Sequence, residues 1–107
     1  MVTGGVRDAY PIVCICGSMK FFDSMMVAAQ AYSIRGYIVL MPFVRFSPTE
    51  QLTNQDKRML DLMHFAKIAL SDLVYVVNVG GYIGQSTSNE IEFAKKHEKP
   101  IEYLVNA

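Results

Sequence analysis

Four short apolar runs recur along the chain with a helix-like segment between each consecutive pair, and this alternation is the strongest constraint on the fold. The runs are Tyr10 to Cys16, Tyr37 to Met41, Leu73 to Val77 and Pro100 to Leu104. A strand with one face in water alternates apolar and polar residues, whereas a strand covered on both faces reads as a continuous apolar run. These runs are of the second kind, so the expected fold class is α/β: a small doubly wound, Rossmann-like or flavodoxin-like parallel sheet with helices on both faces. Right-handed crossovers allow a compact doubly wound sheet, for which the expected strand order is 2-1-3-4, with a switch point, and hence a ligand crevice, between the first and third strands.

The intervening segments carry helical spacing. Between Lys20 and Arg35, Phe22, Met25, Met26, Ala29 and Tyr32 or Ser33 recur at three and four, and Gly36 is placed to end the helix. Ser47-Pro48-Thr49-Glu50 has the composition of a helix start, with a restart near Asn54, and the following helix is expected to bury Met59, Met63, Ala66 and Leu70. A third helix is expected from Thr87 to His97.

At 107 residues the chain has the length of one domain. Apolar residues make up 51% and charged residues 19%, enough for a filled core and too hydrophobic for a disordered tail. Ten basic against ten acidic residues leave no positive field to collect duplex nucleic acid, while a small charged ligand remains compatible. The apolar stretch from Tyr37 to Val44 is broken by Pro42 and far short of the roughly 20 residues a membrane helix needs. Met1 to Tyr10 lacks the apolar run of a signal peptide, so a cytoplasmic location is the default expectation.

Cys14 and Cys16 lie two apart in one strand, pointing the same way, where a disulfide between them would be strained. They are expected as buried, reduced thiols. With His64 and His97 the only histidines, no Cys and His set has zinc-like spacing, and neither a metal nor a cofactor is expected.

The predicted topology brings together Gly17-Ser18-Met19-Lys20, after the first strand, and Asn78 to Glu90, after the third. Gly17, Gly81 and Gly84 let backbone approach a ligand, Ser18, Ser86 and Ser88 supply hydroxyls, Asn78 an amide, and Lys20 a charge. The N-terminus of the third helix adds unpaired N–H groups for an anion. The same glycines equally serve a simple turn, and the hydroxyls a helix cap. Glu90 has two readings as well: it completes a capping box with Thr87, or it is a carboxylate aimed at the crevice as nucleophile or general base. His64 and Lys67, three apart on the second helix, form either a solvated flank or a catalytic and phosphate-binding pair. Asp72 lies at the far end of the third strand, where a capping role is expected, and Glu92 and Lys96 form an i,i+4 pair.

Ile15-Cys16-Gly17-Ser18-Met19-Lys20 and the pattern Asp72 to Val77, glycine loop, Glu90-x-x-x-Ala94, Lys99-Pro100-Ile101 resemble the nucleoside 2-deoxyribosyltransferase superfamily, which includes N-glycosidases of 2′-deoxynucleoside 5′-monophosphates. The similarity in architecture runs from Ile12 to Leu104. It implies that Glu90 attacks the anomeric carbon, that Ser18 and Lys20 contact sugar or phosphate, and that Ser86 or Ser88 is the loop hydroxyl before the nucleophile. It also implies a homodimer, to which the surplus of apolar residues on the first helix (Phe21, Phe22, Met25, Met26) is suited. Two positions depart from the family pattern: Cys14 stands where glycosidase members have an aromatic residue, and His64 stands near the place of an acid that protonates the leaving base. The segments His64-x-x-Lys67-Ile68 and Gly81 to Thr87 are similar to a small phage and bacterial branch of the superfamily.

The expected function is therefore hydrolysis or transfer at the N-glycosidic bond of a nucleoside or nucleotide, with Glu90 as nucleophile and His64 moving the proton. Ser18, Lys20, Lys67, Asn78, Gly81, Gly84 and the serines would bind substrate. The alternative is a non-catalytic nucleotide-binding or sensing module using the same crevice.

Overall fold

The computed structural model describes residues 8–43 and 51–106. The elements run β1 (Ile12–Gly17), α1 (Phe22–Ile34), β2 (Ile38–Leu40), α2 (Asn54–Leu70), β3 (Leu73–Val77), α3 (Gln85–Lys96) and β4 (Ile101–Tyr103), with single 3₁₀ turns over Met19–Phe21 and Val79–Gly81. All pairings are parallel and the order is β2-β1-β3-β4, the α/β architecture expected from the apolar runs. The helix start expected at Ser47-Pro48-Thr49-Glu50 lies outside the described residues. The expected restart is observed: α2 begins at Asn54 behind a capping box, in which Thr53 Oγ1 accepts from the Asp56 N–H and Asp56 Oδ2 from the Thr53 N–H, both at 3.0 Å.

Strand periodicity divides the core in two. Cys14, Cys16, Val74 and Val76 point to one face and pack with Ile68, Ile91 and Ala94 of α2 and α3. Val13, Ile15, Leu73 and Val77 point to the other and meet Met25 and Tyr32 of α1. Successive side chains leave a strand on opposite sides, so covering both faces is what demands unbroken apolar runs. At the end of α1, Gly36 adopts φ +92° while its N–H donates to Ser33 O and the Tyr37 N–H to Tyr32 O. That double closure needs a residue without a Cβ penalty, as the sequence predicts.

Three expectations about the helices are corrected. Met59, Met63 and Leu70 of α2 are 52%, 45% and 63% exposed, and its buried residues are His64 and Ile68. Leu60, His64 and Ile68 form a second stripe at spacing four, and it is this one that the sheet selects. Glu92 meets Lys95, at 3.9 Å, in place of Lys96. On α1, Met25 and Tyr32 are buried, whereas Met26 is half exposed.

Polar side chains tie the sheet ends. At the N-terminal end the Ile12 N–H donates to Asp72 Oδ2 at 2.8 Å, and Lys99 Nζ donates to the Ala69 and Ser71 carbonyls that α2 leaves open. At the opposite end, Gly17 is held so close to β3 that a Cβ there would lie 2.9 Å from Val77 O. No helix among the described residues is long and apolar enough to cross a membrane.

Candidate functional site

The C-terminal ends of β1 and β3 open into a cleft of about 460 Å³, walled by the turn after β1, the middle of α2 and the start of α3. This is the switch-point position, where adjacent connections leave on opposite faces and part. Of the sequence-predicted residues, Gly17, Ser18, Gly84, Ser86, His64 and Glu90 line it.

The start of α3 explains the position of Glu90. The helix begins at Gln85 behind Gly84, whose side supplies no cap, and its first intrahelical bond runs from the Ser88 N–H to Gly84 O. Glu90 is therefore in the second turn, too far along to close a capping box with Thr87, which is itself buried. That alternative for Glu90 is overturned. Its carboxylate instead faces α2, with Oε1 3.8 Å from His64 Nε2. The N–H groups of Gln85, Ser86 and Thr87 precede the first helical bond, and all three residues line the cleft.

His64 is only 6% exposed, so it is no solvated flank. Nε2 faces two thiols as well as Glu90: Cys16 Sγ at 3.4 Å and Cys14 Sγ at 3.8 Å. Nδ1 is buried without a hydrogen-bond partner among the described residues. Spacing alone suggested no Cys and His set, yet the fold assembles one, because α2 crosses the face of β1 on which both thiols stand. Cys14, Cys16 and His64 offer donor atoms all within 4.8 Å of one another.

These groups shift each other's protonation. The Cys14 thiol is lowered to about 6, first by a hydrogen bond from Cys16 and, against burial, by His64. Cys16 keeps its proton, pushed up by that same bond to Cys14 and by burial. For His64, burial opposes the charged ring, but the Cys14 thiolate and Glu90 outweigh it and the imidazole is raised. Burial raises the Glu90 carboxyl, opposed by His64. Cys14 is thus shifted toward its thiolate and His64 toward its charged form, beside a carboxyl that burial has made more basic than usual.

The remaining predicted residues sit elsewhere. Lys20 lies at the mouth, its Nζ 3.5 Å from the centre of the Tyr82 ring, a cation–π contact that holds the charge beside the cleft. Lys67 Nζ donates to Met41 O at 2.8 Å. Asn78 is turned inward: its Nδ2 donates to Val105 O at 2.8 Å and its Oδ1 accepts from the Val105 N–H at 2.9 Å, clamping the chain after β4. Gly81 and Ser88 do not line the cleft. Sequence reasoning passed over Asp61 and Tyr82, which do. Asp61 is one helical turn before His64, a spacing that puts both on one side of α2 and that identifies it once His64 is known to face inward. No protein-family model and no curated protein matches the chain.

Proposed function

We propose that the protein cleaves, or transfers at, the N-glycosidic bond of a nucleoside or nucleoside 5′-monophosphate. The observation that carries the reading is the facing pair Glu90 and His64, 3.8 Å apart, at the wall of a cleft that also holds a helix N-terminus and Ser18. The Glu90 carboxylate attacks the anomeric carbon as the C–N bond breaks, and the departing base takes a proton from His64. Water or a second base then attacks the glycosyl ester, returning its proton to His64 and freeing Glu90. An imidazole serves here because its reference pKa of about 6.5 allows exchange near neutrality. The open N–H groups of α3, with Ser18, suit a sugar hydroxyl or 5′-phosphate, and Lys20 adds charge at the mouth.

The resemblance of Ile15 to Lys20 and of the Glu90 segment to the nucleoside 2-deoxyribosyltransferase superfamily supports the same chemistry. The test is chromatographic detection of free base after incubation of wild type and Glu90→Gln with ribo- and deoxyribonucleosides and their 5′-monophosphates. Base release by wild type alone is expected; equal release by the variant refutes the role of Glu90. Unchanged nucleotides together with a ligand-dependent rise in melting temperature would favour a nucleotide-binding module instead.

The same proposal includes a homodimer. Met59, Met63, Ala66 and Leu70 leave an exposed apolar stripe along α2, and Val27 and Ile34 of α1 are 69% and 77% exposed. A monomeric mass in light scattering at micromolar concentration would refute it.

A further inference from the structure

We propose that Cys14, Cys16 and His64, closed by Glu90, form a binding site for a thiophilic divalent cation of the zinc type. The site uses no property of a substrate, but it shares His64 Nε2 and Glu90 with the glycosidic reading, so a bound cation would occupy the pair on which that chemistry depends. A tetrahedral zinc holds sulfur at about 2.3 Å and nitrogen at about 2.0–2.1 Å, so its S···N edges measure about 3.6 Å. The two S···N distances here, 3.4 and 3.8 Å, straddle that edge. The Sγ pair lies within 4.8 Å, against a zinc S···S edge of about 3.8 Å. Glu90 Oε1 is 3.8 Å from the same Nε2 but outside the set of mutually close donors, so it would have to move inward from the cleft side to complete a fourth position.

Donor chemistry selects the metal. Two thiols and an imidazole are soft and borderline ligands, suited to zinc, cadmium or cobalt(II) and unsuited to magnesium or calcium. All three are buried, so a bound cation would compensate the desolvated thiolate and turn Nε2 from proton carrier to ligand, with release of thiol protons. A metal-binding histidine ordinarily donates its second N–H to a partner, and Nδ1 here has none among the described residues. Outer partners of that kind contribute about 10–100-fold in affinity, so the site is expected to be weaker than a structural zinc site and to exchange its cation with chelators. The fold does not depend on it, since Val13, Ile15, Val74 and Val76 form the centre of the sheet without polar help.

The experiment uses the full chain, reduced and stripped with a chelator, and titrates cobalt(II) and then zinc. One equivalent of cobalt is expected to give tetrahedral visible bands and a thiolate-to-cobalt charge-transfer band in the near ultraviolet, both removed by zinc. Cys14→Ala and Cys16→Ala should each lose about half of the charge-transfer intensity and at least about tenfold in affinity, scaled on the loss of a direct ligand exceeding that of an outer partner. Should either variant fail to fold, cadmium-113 resonance of the wild type counts the bound thiolates without any substitution. Absence of the charge-transfer band at one equivalent, or a cadmium shift characteristic of oxygen ligands alone, overturns the site. Base release by the metal-free chain is scored separately, so the failure of either proposal leaves the other standing.

Discussion

Replacing Gly17 by alanine tests the feature on which the cleft depends, the close approach of β1 to β3 at their last paired residues, Gly17 and Val77. An alanine Cβ would stand 2.9 Å from Val77 O, with Val77 Cβ at 3.4 Å. An ordinary carbon to oxygen contact is longer by about half an ångström, and the obstacle is main chain, which cannot swing aside as a side chain can. The strands must therefore part at the register pair that closes the floor of the cleft. Overpacking of this kind costs about 1–3 kcal/mol. Taking about 2 kcal/mol, a domain of this size should lose about 8–16 °C in melting temperature. Thermal and urea unfolding followed by circular dichroism would measure it, with an unchanged urea slope if the unfolded state is unaffected. Gly36→Ala is the companion variant: nothing lies within 4 Å of its Cβ, so only the φ of +92° opposes it, whereas at Gly17 the main-chain clash adds to a φ of +158°. A shift below about 2 °C for Gly17→Ala, roughly the effect of an ordinary surface substitution, would refute the packing argument.

Asn78→Ala should remove the clamp on Val105 and cost about 2 kcal/mol, two hydrogen bonds at about 1 kcal/mol each, while leaving nucleotide affinity unchanged. A large loss of affinity with no loss of stability would return Asn78 to the binding site. The Cys14 thiolate should titrate near pH 6 in ultraviolet absorbance, and Cys14→Ala should abolish that step. A midpoint near the ordinary thiol value would contradict the arrangement around His64. Stability is the poorer readout here because the signs oppose. The lowered Cys14 contributes stability that is complete above its unfolded value of 9.0 and is lost as pH falls toward about 6. The raised His64 contributes stability that is complete below 6.5 and is lost as pH rises through its folded value.

Much of the architecture is local information. The run Leu73 to Val77 is a strand with the predicted bounds, and Gly36 ends α1 by the predicted closure. Continuous apolar runs separated by helices admit few topologies once crossovers must be right-handed, and the order 2-1-3-4 expected among them, with its crevice, is the one observed. Ser18, Ser86, Gly84 and Glu90 were legible as crevice residues for the same reason: Ser18 follows the C-terminal end of β1, and the others lie in the connection and the helix that leave the C-terminal end of β3.

What only the tertiary structure decided is the rotation of α2 and everything that depends on it. Met59, Met63, Ala66 and Leu70 make one stripe at helical spacing, and Leu60, His64 and Ile68 make another, so periodicity does not say which of them meets the sheet. The sheet takes the stripe that carries a histidine. That choice brings His64 against thiols 48 and 50 residues earlier in the chain, against a carboxylate from a third element, and puts Asp61 on the cleft wall. Contacts of such separation are set by how helices dock on strands, and local spacing carries no trace of them. The start of α3 at Gln85 is a second case. Both registers of the cap are chemically acceptable, and the packing of Thr87, Ile91 and Ala94 against the core settles which one forms and therefore where Glu90 points.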